Sequence, residues 1–401
     1  VEEKAERAMI FRTGSTGARA RALEFSAVVV VAAWSSAAAG ASMDPAPERL
    51  TAPCEPIIDA RVGTVPCGEG RSVVEGGRAV TIGNFYQEDD AAWAKLMSQY
   101  AMAIAPNAMH PARTTGYGGF EFGLFGQITT VSNGESWFRR GTEGAASSAG
   151  RYPGQNAAPD STLQLYGITA RKGLPYGFEL QGSIGYLANT SLVAIGGGVR
   201  VSPFEGFRKL IDLSVGGYVH TLTGTSKVKI TVPALDVQAS RPFVIANQVV
   251  LQPYLGWQML WVNADSGVVD ATPQTDALSS CQARPSTPAE RNPNEGGGGD
   301  TGELRCQTAP GTDAPPGSAA SLAKFDQNNN MVFRQVRAFR RQRLFAGLSI
   351  RWENFHAVFP HVMAEIADPE AGENDPGQGR TKRLAGLDRQ LTFGATVGVA
   401  W

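Results

Sequence analysis

The sequence predicts an all-β chain: an antiparallel transmembrane β-barrel of about ten strands, twelve being the alternative count, with a short helix ahead of the first. Three observations predict it. Within Asp388 to Trp401, Leu391, Phe393, Ala395, Val397, Val399 and Trp401 fall on one face at period two, and Gln390, Thr392, Gly394, Thr396, Gly398 and Ala400 on the other. That is a strand with one apolar side and one small, polar side. The same alternation recurs from Tyr117 onward, as expected of strands that face lipid on one side and a lumen on the other. The connections then alternate between long and short, which puts all the long ones at one end of the barrel.

The 36 basic and 37 acidic residues leave a net charge of -1, which gives no reason to expect a nucleic-acid partner. The 47 glycines suit tightly curved strands. At the start, Arg12, Arg19 and Arg21 precede the apolar run Phe25 to Trp34, and Ala39-Gly40-Ala41 supplies small residues. We read residues 1–41 as a signal peptide cleaved after Ala41, with Met9 a candidate true start. The run is shorter than the roughly 20 residues of a spanning helix, so any further membrane crossing is by strands.

Residues 42–112 read as an irregular periplasmic extension carrying one helix, and 113–401 as the barrel. In an exported chain the four cysteines read as disulfides, with Cys54–Cys67 and Cys281–Cys306 the favoured pairs, each worth about 3 kcal/mol by chain entropy. No CxxC pair supports a metal site. Asp89 and Asp90 offer an N-cap and favourable charge, and Trp93, Leu96, Met97, Tyr100, Ala101 and Ile104 recur at helical spacing up to Pro106. This helix either plugs the barrel mouth or packs its apolar face on the barrel end, the second being the simpler placement.

Strands follow at Phe120–Gln127, Leu163–Lys172 (facing ambiguous), Phe178–Tyr186, Val193–Val201, Ile211–His220, Leu235–Gln238, Leu251–Trp261, Arg343–Trp352, Val358–Ile366 and the closing stretch. Lys227–Val232 either extends a strand or hides another. Long connections at 133–160, 265–330 and 368–387 follow odd-numbered strands, and turns near Gly173, Gly206, Asn247 and Asn354 follow even-numbered ones. With both barrel ends in the periplasm, the long loops are extracellular.

A strand that stops on an aromatic residue resembles the closing strand of bacterial outer-membrane β-barrel proteins, where such an end is read by the barrel-assembly machinery during insertion. Thr396 stands where that family usually has glycine, between Gly394 and Gly398. The resemblance covers about Tyr117 to Trp401 and implies a place in the bacterial outer membrane, with membrane lipid and lipopolysaccharide as surroundings.

Catalytic signatures are absent: there is no GxSxG, HExxH or GxxxxGK[ST], and Gly296–Gly299 reads as a flexible linker. No cofactor is implied and the chain is not read as an enzyme. On the predicted lumen face, Glu121, Glu179, Asp212, Asp236 and Glu365 meet Arg200, Arg341, Arg343, Arg351, His220 and His361. Mixed charges in a narrow barrel either pair and fill it or line a path for a small solute. His361 and Glu365 lie about 13 Å apart along a strand, too far for a dyad, and His356 falls on the opposite face from His361. Arg334 and Arg340, at the outer end of the eighth strand, point outward as candidates for lipopolysaccharide phosphates, or else pair with the acidic loop before them. Two functions stay open: passive transport of a small solute or a structural barrel, and a surface interaction or adhesion barrel acting through its loops.

Overall fold

The computed structural model of the protein describes residues 43–76, 78–144, 154–206, 211–246, 248–272, 281–285, 300–309, 312–313, 328–373 and 382–401, with backbone alone at 78–79, 281–285, 300–309 and 312–313. Predictions for 1–41, and for most of the 265–330 loop with its glycine run, lie outside the described residues.

Ten strands form the barrel: β1 (Phe120–Thr130), β2 (Thr162–Gly173), β3 (Phe178–Leu187), β4 (Val193–Phe204), β5 (Asp212–Thr223), β6 (Val228–Ser240), β7 (Val249–Ser266), β8 (Val336–Trp352), β9 (Phe355–Glu365) and β10 (Leu391–Ala400). Each pairs antiparallel with the next, and β10 pairs with β1, so the ring is closed. Closure satisfies every strand edge, the condition for crossing a hydrocarbon layer with strands. Lys229 to Val232 lie inside β6, so that stretch extends a strand and hides none. A three-residue strand, Phe243–Ile245, is laid on β7 in the following turn.

The faces divide as the alternation predicts. Phe122, Ile128, Ile184, Ile195, Val199, Val215, Val219, Leu255, Leu344 and Phe393 are exposed on the outside, while Glu121, Gln127, Glu179, Arg200, Asp236 and Gln258 are buried inside. Glycines on the inner face seat large rings. The Tyr218 ring lies over Gly198 and Gly216, and His220 over Gly196, so closely that an added Cβ would collide with the ring in each case. A closed, even-numbered antiparallel barrel with an apolar outer belt is the architecture of outer-membrane β-barrels, and the described residues have it.

The connections after β1, β3, β5, β7 and β9 share one end of the barrel, here the loop end; the other, the turn end, holds the start of β1 and Trp401, which exchange backbone hydrogen bonds at Phe120 (2.8 and 2.9 Å). Helix α1 (Asp90–Ile104) is capped by Asp89, whose side chain accepts from the Ala92 N–H. From Ala92 to Ile104 all its residues are buried except Lys95, and it touches β1, β2, β5, β6, β7 and β8. Strands on opposite sides of the ring surround it, so the simpler placement against the barrel end gives way to the plug. A helix apolar almost all round must be buried on every side, and the lumen supplies those sides.

Residues 43–88 correct a second expectation. They were read as irregular and periplasmic, at the end away from the long loops. Instead they form two hairpins (Ile57–Asp59 with Gly63–Val65, Glu69–Glu75 with Arg78–Asn84) at the loop end itself. The Met43 N–H donates to Asn189 (2.9 Å) and that of Ala46 to Gly141 (2.9 Å), Lys227 pairs with Glu48 (2.9 Å), and the Tyr86 N–H donates to Asn329 (3.1 Å). These partners belong to four different loop-end connections.

Candidate functional site: the occupied lumen

The lumen is filled by one continuous piece of chain. α1 enters at the loop end, where Arg140 pairs with Asp89 (3.1 Å) and the Arg334 N–H donates to Asp90 (2.7 Å). Lower down, Gln127 donates to the Ala103 carbonyl (2.5 Å), His220 Nδ1 to that of Ile104 (2.9 Å) and Gln258 to that of Pro106 (3.1 Å). Residues 107–115 continue to the turn end, where the Ala112 N–H donates to Ser240 Oγ (3.0 Å) and the Thr114 N–H to Glu205 (3.1 Å). Wall side chains thus satisfy the backbone groups left open past the helix C-terminus.

The contents of the lumen differ along its length. Around α1 the wall is apolar: Leu163, Leu165, Leu187, Leu222, Ile230, Val232, Leu260, Val262 and Phe339 are buried there, and Trp93 stacks on Phe333 at 4.8 Å. Toward the turn end the wall is ionic. His356 Nε2 lies 3.1 Å from Glu121, which accepts from Arg171 (2.9 Å); Arg171 is 3.5 Å from Glu179, and Glu179 accepts from Arg200 (2.6 Å). Arg200 also donates to the Pro111 carbonyl (2.7 Å), and Glu179 accepts from the Thr115 N–H (2.8 Å), so this ladder grips the threaded segment. Nearer the loop end Arg341 holds Glu365 with two hydrogen bonds and reaches Ser98 of α1, while Arg343 bonds Gln258 (2.7 Å) and the Pro106 carbonyl (2.6 Å).

Of the predicted lumen residues, Glu121, Glu179, Arg200, Asp212, His220, Asp236, Arg341, Arg343, His361 and Glu365 are buried within the barrel. Arg351 is not: it has the inward parity, but it lies exposed at the turn-end rim and donates to the Glu353 carbonyl. His356 is a second correction. The β9–β10 register shifts between Val358 and His361, so His356 and His361 both face inward, as does Val358, which the plain alternation put on the lipid side. Such a bulge inverts facing beyond it, and Pro360 inside the strand is its sequence signal. Arg171 and His110 also lie in the lumen and were not singled out from sequence; Tyr218 and Tyr254, on the inner face by alternation, lie there too, the Tyr254 hydroxyl meeting His361 Nδ1 at 2.7 Å. Arg334 is half-buried before β8 rather than outward on it, whereas Arg340 is outward and exposed.

Cys54 and Cys67 form the expected disulfide, which closes the first hairpin region against Asn84. The strand pair Cys281–Pro285 and Asp300–Ala309 sets Cys281 opposite Cys306 in register. Their side chains lie outside the described residues. In the hairpins, hydrogen bonds from Arg61 lower the Asp59 carboxyl to about 2, while Arg61 also holds Glu75 at 2.7 Å. Among the described residues no group of three His, Cys, Asp or Glu side chains could hold a metal ion.

No protein-family model matches the sequence, and no curated protein matches it. Solved structures similar to it include Ail, the attachment invasion locus protein of Yersinia pestis, crystallised with a heparin analogue (10% identity, 71% of this chain and 99% of that one, TM-score 0.20). The translocator domain of the autotransporter NalP from Neisseria meningitidis is another (12% identity, 78% and 96%, TM-score 0.26). At these scores neither likeness bears on function; the barrel stands on its closed ring and its two faces.

Proposed function

We propose that this outer-membrane barrel is closed by its own chain and acts at the cell surface, as an interaction or adhesion protein that presents residues 43–88 together with the loop-end connections. One observation carries the reading: the segment from α1 to Thr115 crosses the barrel inside it, from loop end to turn end. Ten strands and one luminal crossing make eleven passages, so residue 43 and Trp401 stand on opposite sides of the membrane. With long loops outward, the disulfide-closed hairpins are outside. Passive solute transport is the weaker reading, because the lumen charges hold the threaded segment rather than line a path. No chemistry is proposed for the lumen histidines and carboxylates.

The test is an epitope inserted after Gly76, at the tip of the second hairpin, with a second epitope at Tyr176 in a turn of the other end. Antibody binding to intact cells at the first site and only to lysed cells at the second is the expected result. The reverse pattern would overturn the proposal. In planar bilayers the mature chain should show no channels, and regular conductance steps from it would restore the transport reading.

A further inference from the structure

Independently of what the loops bind, we infer that the outer wall of the barrel at its loop end carries a site for phosphate groups of the surrounding leaflet's lipid, made by Arg337 and Arg340 beside Trp261. The site depends on a bulge. Val262 pairs with Phe339 and Ala264 with Val336, so Asn263 alone faces Arg337 and Ala338. Ala338 takes a positive φ of 50°, and its N–H donates to Asn263 Oδ1 at 2.9 Å. In a regular strand, residues three apart point to opposite faces. Here the extra residue turns Val336 and Phe339 both inward and leaves Arg337 and Arg340 both exposed on the outside. Bulges re-aim side chains in this way at barrel rims.

The surroundings suit an anionic headgroup. Arg340 stands opposite Trp261 in register, and Trp257, further down the same outer face, donates from Nε1 to Gln342 (3.3 Å). Tryptophans at this level mark the boundary between acyl chains and headgroups, so the two guanidinium groups stand at headgroup height. Several other charges of the described barrel are paired within the chain: Arg341 holds Glu365, Arg200 holds Glu179, and Lys229 faces Asp265 in register on the same outer face. Arg337 bonds only the neutral Gln335, and among the described residues no carboxylate lies within ion-pair distance of Arg337 or Arg340. For Arg337 and Arg340 we take the phosphate reading, with Arg337 in the place expected of Arg334; most of the acidic loop of the other reading lies outside the described residues. A guanidinium fork matches phosphate oxygens, and exposure to a low-dielectric boundary strengthens the contact.

The experiment measures lipid retained by the purified, folded protein in detergent, by native mass spectrometry, with rough lipopolysaccharide and the same lipid after enzymatic dephosphorylation as probes. The wild type should retain the phosphorylated lipid, the R337A/R340A variant about tenfold less or lower, and R334A as much as the wild type. R337K/R340K should fall between, because lysine keeps the charge and loses the fork. All variants should keep heat-modifiable migration, since both arginines are on the surface. Equal retention by wild type and R337A/R340A, or equal retention of the dephosphorylated lipid, would overturn the inference. So would displacement of the lipid by excess inorganic phosphate, which would make this a free-anion site.

Discussion

Glu179 is the place where one substitution tests both the ionic ladder and the threading. It stands opposite Arg200 in register between β3 and β4, accepts from that guanidinium at 2.6 Å, lies 3.5 Å from Arg171, and takes the Thr115 N–H at 2.8 Å. Its side chain is almost wholly buried (1% exposed). Glu179→Ala therefore leaves Arg200 with only neutral acceptors, His110 Nδ1 and the backbone carbonyls of Pro111 and Arg113, and leaves a backbone N–H without its acceptor. Breaking a buried pair in this way costs about 3–5 kcal/mol. Glu179→Gln keeps one acceptor oxygen and should lose about 1–3 kcal/mol. Urea unfolding in lipid vesicles, followed by tryptophan fluorescence, measures both. The double variant E179A/R200A should be less damaged than the two single losses combined, because the orphaned charge leaves with its partner. A loss below about 1 kcal/mol for E179A, or strict additivity in the double variant, would refute the account of the ladder as a clamp on the threaded segment.

Three further outcomes are expected. Reduction of Cys54–Cys67, or C54S/C67S, should destabilise the hairpins by about 3 kcal/mol, seen as faster amide exchange at residues 57–84 with the barrel's own unfolding midpoint unchanged; a shift of that midpoint would mean that the module and the barrel unfold together. The same hairpins should loosen in acid: the Asp59 carboxyl is depressed in the folded state, so its contribution is complete above about pH 4 and is lost as pH falls through about 2, and Asp59→Asn should flatten that part of the exchange profile. Trp93→Ala, which removes the ring stacked on Phe333 in the loop-end core, should cost about 3–5 kcal/mol in the same vesicle assay, and a neutral result would place α1 outside the lumen.

Strand number, closure and the outward belt were legible because lipid enforces a strict alternation: one polar residue outside is expensive, so the period-two signal survives in almost every strand. The inward face carries no such constraint. Leu163 and Leu165 face in toward α1 while Gln164 and Lys172 share the outer face with Ile168, so polar and apolar residues of β2 do not sort by face and its facing could not be read; Arg171, further along the inner face, was missed for that reason. Bulges were the second blind spot, since one extra residue reverses facing without changing composition. His356 and Arg337 were misplaced or passed over by the same error in two neighbouring strands. The position of α1 was half-legible. Its capping and length read directly, but apolar residues such as Ala92, Ala94, Ala101 and Ala103 around its whole circumference, rather than along one stripe, were the sign of burial on all sides.

That all-round burial also decides how readily the lumen could open. Withdrawing α1 would expose Trp93, Leu96, Met97, Tyr100 and Ile104, all fully buried, and with them the leucines and valines of the wall they touch. At about 1.5–3 kcal/mol per large apolar side chain, the helix residues alone lose on the order of 10 kcal/mol. Some 1.4 kcal/mol is a factor of ten in population, so spontaneous opening of the apolar half is about seven orders of magnitude rarer than the closed state. The ionic half adds to this, because Arg200, Arg343 and Glu179 would each lose a partner on the threaded segment. On this figure thermal fluctuation alone is not expected to open the lumen, and a ligand that opened it would need a preference for the open form of the same size. Channel activity from the unmodified protein without such a ligand would contradict the burial from which the estimate is made.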